Sequence, residues 1–147
     1  MLHESWIETY TDELGANVAK TMADVLSSDD LAGLVPDRDE QAVIALHGLE
    51  ICGSAVSASR HGITYLWGCY ILQRYQRKGI GRALILKATS VHSVENTIQI
   101  FVLKSSNNAV QFYESLGFKT VSEDSLEVIE GHSVPSLVMT IKASALT

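Results

Sequence analysis

The sequence predicts an α+β fold. Two observations predict it. The periodic segments run helix, β-hairpin, strand, helix, strand, helix, strands. Within that order, residues 65–91, around which the chain is organised, form a strand, a glycine turn and a helix. The 147 residues suffice for one domain with a real core and are too few for two ordinary ones, so 1–147 is expected to be a single domain.

Taken in order, residues 4–26 are expected to form two helical pieces broken near Gly15. Trp6, Ile7, Tyr10 and Leu14 make an apolar stripe in the first, and Val18, Met22, Val25 and Leu26 make one in the second. Ser27 to Asp39, with Gly33 and Pro36, reads as a polar connection. Gln41 to Leu46 and Glu50 to Ser59 read as strands of a hairpin closed at His47-Gly48. Arg60-His61-Gly62 then turns into a buried strand, Tyr65 to Leu72, short and rich in β-branched and aromatic residues. The following helix has Ile80, Ala83, Leu84, Ala88 and Val91 at helical spacing. Asn96 breaks the chain before a strand at Thr97 to Leu103. Ser105 to Asn108 supply caps for a helix, Ala109 to Leu116, that ends at Gly117. Phe118 to Val121 and Leu126 to Glu130 read as weak strand pieces, and Leu137 to Lys142 as the last strand.

At 46 % hydrophobic and 19 % charged residues, the composition is that of a folded globular protein. No stretch approaches the ~20 apolar residues that span a bilayer, so no membrane partner is expected. The opening MLHESWIETY lacks the basic-then-apolar pattern of a signal peptide. Cys52 and Cys69 stand far apart in apolar contexts, which points to small buried side chains in a reducing cytoplasm, with neither a disulfide framework nor a metal site.

Charge is unevenly placed. Residues 1–50 hold eleven acids against Lys20 and Arg38, whereas residues 51–94 hold no acid and carry Arg60, Arg74, Arg77, Lys78, Arg82 and Lys87. Within a net charge of −6, the positive charge gathers about the glycine turn. That is a local anion site for a phosphate-bearing small molecule, and the overall acidity argues against a nucleic-acid surface. A turn leading into a helix aims unpaired N–H groups and the positive helix end at one point. Gly79-Ile80-Gly81 is neither a P-loop, lacking Lys-Ser/Thr after the glycines, nor G-x-G-x-x-G, since Leu84 holds the third position. The plainer reading of these residues is a tight turn with solvated charges.

Gln76-x-x-Gly79-x-Gly81 after an apolar strand resembles the Q/R-x-x-G-x-G/A signature of the GNAT N-acetyltransferase superfamily. Ala109-x-x-Phe112-Tyr113-x-x-Leu116-Gly117-Phe118 resembles its second signature, about 30 residues downstream and in the right order. The resemblance implies a mixed, mostly antiparallel central sheet flanked by helices, with splayed strands, Tyr65–Leu72 and Thr97–Leu103, and acetyl-CoA lying in the V between them. Members usually begin with a strand, and here that strand is short or missing, leaving an edge that a second copy could cover in a homodimer.

The resemblance also assigns roles. Backbone N–H groups from Arg77 to Arg82, Ile80 included, would grip the pyrophosphate together with Gln76 and the Arg77, Lys78 and Arg82 side chains. Backbone groups around Ile71 and Leu72 would hold the pantetheine arm and polarise the thioester carbonyl. Tyr113 stands where a tyrosine protonates the leaving thiolate, and a phenol with pKa near 10 suits that task. Its plainer role is core packing with Phe112, Leu116 and Phe118. Ser106 occupies a place commonly held by Asn, so Ser106, Asn107 or Asn108 would supply that contact. Trp6 and Tyr10 resemble aromatics lining an acceptor pocket, where with Glu8 and Glu13 they would favour a cationic amine. The central strand offers no carboxylate, which leaves Glu8, Glu50, His47, His61 or a water chain as base. The expected activity is acetyl transfer from acetyl-CoA to a primary amine of a small molecule or peptide, by direct attack in a ternary complex. The alternatives are a non-catalytic acyl-CoA-binding module of the same fold, or a different phosphate-ligand binder.

Overall fold

The computed structural model describes residues 38–147, the side chain of Val128 excepted, and these build one six-stranded sheet. The strands are β1 (Glu40–His47), β2 (Glu50–Arg60), β3 (Ile63–Ile71), β4 (Thr97–Leu103), β5 (Lys119–Ile129) and β6 (His132–Lys142). Helix α1 (Ile80–Ser90) links β3 to β4, and α2 (Asn107–Ser115) links β4 to β5. Across the sheet the order is β1-β2-β3-β4-β6-β5. Only the β3–β4 pair is parallel, because α1 carries the chain back to the end where β3 began. The mixed, mostly antiparallel sheet is therefore present. Whether a strand precedes β1, like the helices expected over 4–26, falls outside the described residues.

A core cluster joins α1 and α2 to the sheet. Leu84, Ile85 and Ala88 of α1 meet Ala55, Leu66, Ile98, Ile100, Met139 and Ile141 from four strands, and α2 adds Phe112 and Tyr113 at the rim. Two elements differ from expectation. The two weak strand pieces are one strand, β5, whose polar centre Ser122–Ser125 fits because β5 lies at the sheet edge and these residues face water. Strand β6 begins five residues before Leu137 and contains Pro135. Proline is tolerated there because β4 ends opposite Ser136, so no β4 carbonyl awaits its missing N–H.

The residue expected to break the chain, Asn96, is a buried clasp. Its Nδ2 donates to Ser59 Oγ at 2.8 Å and Thr64 Oγ1 at 3.0 Å, and its carbonyl accepts from Ala143 N at 2.9 Å. It thus joins the β2–β3 hairpin to the start of β4 and the end of β6. Nearby, the buried Ser57 hydroxyl donates to the Ala88 carbonyl at 2.8 Å, so His92 Nε2, at 2.9 Å, must be the donor to Ser57. Burial holds the His92 pKa below its ordinary value, opposed by the charge of Asp39.

Asn96→Ala should cost about 1–3 kcal/mol, since the buried Thr64 hydroxyl loses its donor, and denaturant unfolding reads it directly; a variant as stable as wild type contradicts the clasp. His92 binds protons less readily folded than unfolded, so stability should decline as pH falls from about 7 through the ordinary histidine value of about 6.5. Melting curves of wild type and His92→Gln across pH 7 to 5 test this, the variant showing the shallower decline.

Candidate active site

Strands β3 and β4 pair over three residues only, Ile63, Thr64 and Tyr65 against Thr97, Ile98 and Gln99. Beyond that point β3 runs on to Ile71 and β4 to Leu103 with no ladder between them. The divergence has a local cause. Along β2, the single residue Ala55 stands opposite both Gly68 and Cys69, a β-bulge in β3. Gly68 takes φ +61°, and Ser54 Oγ donates to its carbonyl at 3.1 Å. The extra residue bends β3 away from β4. An isolated glycine inside a strand pattern signals such a bulge, and this one was open to sequence reasoning.

Both parallel strands end at the mouth of this gap, and both following helices begin there. After β3 the chain makes one 3-10 turn, Gln73–Tyr75, and an exposed loop to Gly79. Arg77 has φ +62° and Gly79, the residue capping α1, has φ +83°. Left-handed residues so placed turn successive N–H groups inward, a concavity suited to an anion. A Cβ built on Gly79 would meet nothing within 4 Å, so the space before the α1 N-terminus is open. Gly81 has a different reason. A Cβ there would stand 3.0 Å from Phe112 Cζ and 3.1 Å from Ile71 Cδ1, so its absence lets α1, α2 and β3 converge.

The cluster of cations is smaller than the sequence suggests. Arg60 forks onto Asp39 and also reaches Glu40 at 3.0 Å, far from the loop, and holds the Asp39 carboxyl below its usual range. Arg74 pairs with Glu50, and Arg82 donates to the Thr147 carbonyl. Arg77 and Lys78 are exposed, and among the described residues neither forms an ion pair. Gln76 Nε2 donates to the Ile71 carbonyl at 3.0 Å, tying the loop to the strand it leaves. Leu72 is buried, and its N–H donates to Cys52 O at 3.0 Å, within the sheet. Because strand residues alternate sides, the Ile71 N–H faces the gap.

Tyr113 projects from α2 toward β3. Its ring meets Phe112 and Phe118 edge-on, with centroids 5.2 and 5.5 Å away. Burial pushes the pKa of the half-buried Cys69 thiol up to about 11, opposed by the Tyr113 hydroxyl. The packing role and the reach toward the gap therefore coexist. Ser106 is buried at the start of α2 and makes no side-chain cap there, while Asn107 and Asn108 are exposed. Of the candidate bases, Glu50 accepts from Tyr75 and Arg74, His47 packs on the Tyr75 ring at 5.4 Å, and His61 sits in the turn before β3, at its opposite end. Trp6, Tyr10 and Glu8 lie outside the described residues. Among the described residues no helix is long and apolar enough to cross a membrane.

The family model for the acetyltransferase (GNAT) domain matches residues 7–134. The chain is 28 % identical over 131 residues to the uncharacterized N-acetyltransferase YuaI of Bacillus subtilis (strain 168), covering 85 % of this chain and 75 % of that one. Its fold resembles PaiA N-acetyltransferase of Thermoplasma acidophilum, solved with coenzyme A, with a TM-score of 0.79, 20 % identity, and coverage of 96 % and 87 % of the two chains. It also resembles the ribosomal-protein-S18-alanine N-acetyltransferase of Escherichia coli, with a TM-score of 0.65, 20 % identity, and coverage of 80 % and 77 %. The splayed strands, the glycine turn opening α1 and the match across most of the chain lead to one conclusion: this protein belongs to the GNAT family and is an acetyl-CoA-dependent acyltransferase.

Proposed function

We propose that the protein moves the acetyl group of acetyl-CoA to a primary amine of a small molecule or peptide, by direct attack in a ternary complex within a single cytoplasmic domain. The observation that carries this reading is the gap between β3 and β4, flanked on one side by the glycine turn and on the other by Tyr113. The residues present fit the cofactor: Gly79 leaves open space at the α1 N-terminus, and the bulged strand presents backbone to the gap.

In this reading N–H groups from Lys78 to Arg82, with the side chains of Arg77 and Lys78, hold the pyrophosphate. Gln76 and Leu72 keep the loop and strand in place. The Ile71 N–H donates to the thioester carbonyl, where negative charge develops. An amine nitrogen bonds to the acetyl carbon as the carbon–sulfur bond breaks. The nitrogen's proton leaves to water, because no carboxylate stands on β3 or β4. Tyr113 gives its hydroxyl proton to the departing sulfur and regains one from solvent. Its position on α2, packed between Phe112 and Phe118 and near the Cys69 thiol of β3, supports this role. With its pKa pushed up to about 11, Cys69 stays a thiol and does not compete as a nucleophile. Ser106 and Asn108, at the mouth of the gap, contact the cofactor from the α2 side. Trp6 and Tyr10 line the acceptor pocket.

Tyr113→Phe should lower kcat by about 10²-fold or more while acetyl-CoA affinity stays nearly unchanged; comparable loss of both makes Tyr113 a packing residue. Gly79→Asp places a carboxylate and a disfavoured side chain where phosphate is held, and calorimetry should show acetyl-CoA binding abolished. Wild-type affinity in that variant would remove the loop from the cofactor site.

A further inference from the structure

The loop between β3 and α1 is held from outside by a group the transfer reaction does not use. Tyr75, the last residue of the 3-10 turn, donates its hydroxyl to Glu50 Oε2 at 2.5 Å. Glu50 opens β2 at the tip of the β1–β2 hairpin, and its other oxygen pairs with Arg74. His47, the last residue of β1, packs tilted on the Tyr75 ring at 5.4 Å. The Arg74 guanidinium lies 5.4 Å from the ring centroid and the Lys78 ammonium 5.9 Å. One tyrosine thus gathers the hairpin tip, the 3-10 turn and the cation just before Gly79.

The loop calls for such support. Arg77 stands in the left-handed region, which a side chain disfavours. The ties of the loop to its own ends include Tyr75 N to Leu72 O, Gln76 N to Gln73 O, the Gln76 side chain to Ile71 O and Ala83 N to Gly79 O. A carboxylate beside an anion site is also costly on charge grounds alone, since it repels phosphate and takes up Arg74. Its placement makes sense if what it contributes is shape.

We infer that Glu50 and Tyr75 form a brace through which the β1–β2 hairpin holds the phosphate-binding loop in its binding conformation. Both are positioning residues, acting through Lys78 and the N–H groups that follow. The inference rests on the reading of residues 77–82 as the pyrophosphate grip. Preorganisation by the brace lowers the ordering cost of binding acetyl-CoA and leaves the chemistry at Tyr113 untouched.

Charge and positioning predict opposite signs for Glu50. Removing a negative charge next to the loop tightens an anion, whereas removing a brace weakens it. Calorimetric titration of acetyl-CoA and initial rates on the full chain should therefore show Glu50→Ala and Tyr75→Phe each weakening acetyl-CoA about three- to tenfold, as expected for one lost hydrogen bond. The KM for acetyl-CoA should rise to match, with kcat at saturation unchanged, and the double variant should be no weaker than either single one. Tighter or unchanged binding by Glu50→Ala, or two effects that simply add, overturns the brace. Gly79→Asp, run alongside, separates the two readings. If it binds as wild type does, the grip reading fails and the brace falls with it. If it loses binding while Tyr75→Phe keeps full affinity, the grip stands and the brace alone is overturned.

Discussion

Between β3 and β4 the sheet is hydrogen-bonded over three residues at one end, and the strands then part. Both would otherwise carry a row of N–H and C=O groups with nothing to pair. That is tolerable only if the gap is wet or filled by a ligand that can take a strand's place. The bulge at Gly68 and Cys69 sets where the parting begins, and the Ser54 hydroxyl fixes the bulge by bonding the Gly68 carbonyl. Asn96 and the Thr97 N–H to Gly62 contact fasten the closed end. Among the described residues, those assigned to the chemistry stand at the open end.

At that end the arrangement is convergent because α1 and α2 each follow one of the parted strands. The first turn of α1 meets α2 where Gly81 lies against Phe112. One consequence is electrostatic. The positive potential at the mouth comes from two sources, backbone N–H groups at the start of α1 and the few cations not drawn elsewhere. Arg60, Arg74 and Arg82 each have a partner, and the acid-rich surroundings account for two of them. The site is therefore tuned more by backbone than by the count of arginines.

Much of this was legible in the sequence because it depends on spacing along the chain. Gly79 and Gly81 before an apolar helix, and Tyr113 beside Phe112 in the next one, are local patterns, and the strands and helices that carry them follow from periodicity. What escaped depends on register. Arg60 meets Asp39 and Glu40 because β2 folds back on β1, with Glu40 opposite Ala58. Glu50 meets Tyr75 across 25 residues because β2 and β3 pair as they do. No pattern in a single chain specifies such pairings in advance, so Arg74 counted toward the positive charge about the turn and Glu50 read as a possible base. The missing Cβ of Gly81 makes room for atoms of Phe112 and Ile71, on elements whose convergence the sequence does not show. The polar centre of β5 hid a strand because an edge needs no apolar alternation on its open face.

The central claim is that acetyl-CoA fills the gap, taking the place of a strand beside β3 and seating its phosphates at the start of α1. Amide hydrogen exchange of the full chain with and without acetyl-CoA tests it residue by residue. The account predicts slowed exchange at Ile71 and from Lys78 to Arg82, with the β5–β6 hairpin over residues 125–134 unchanged. Protection absent from both Ile71 and the 78–82 turn, or strongest in that distant hairpin, would contradict it.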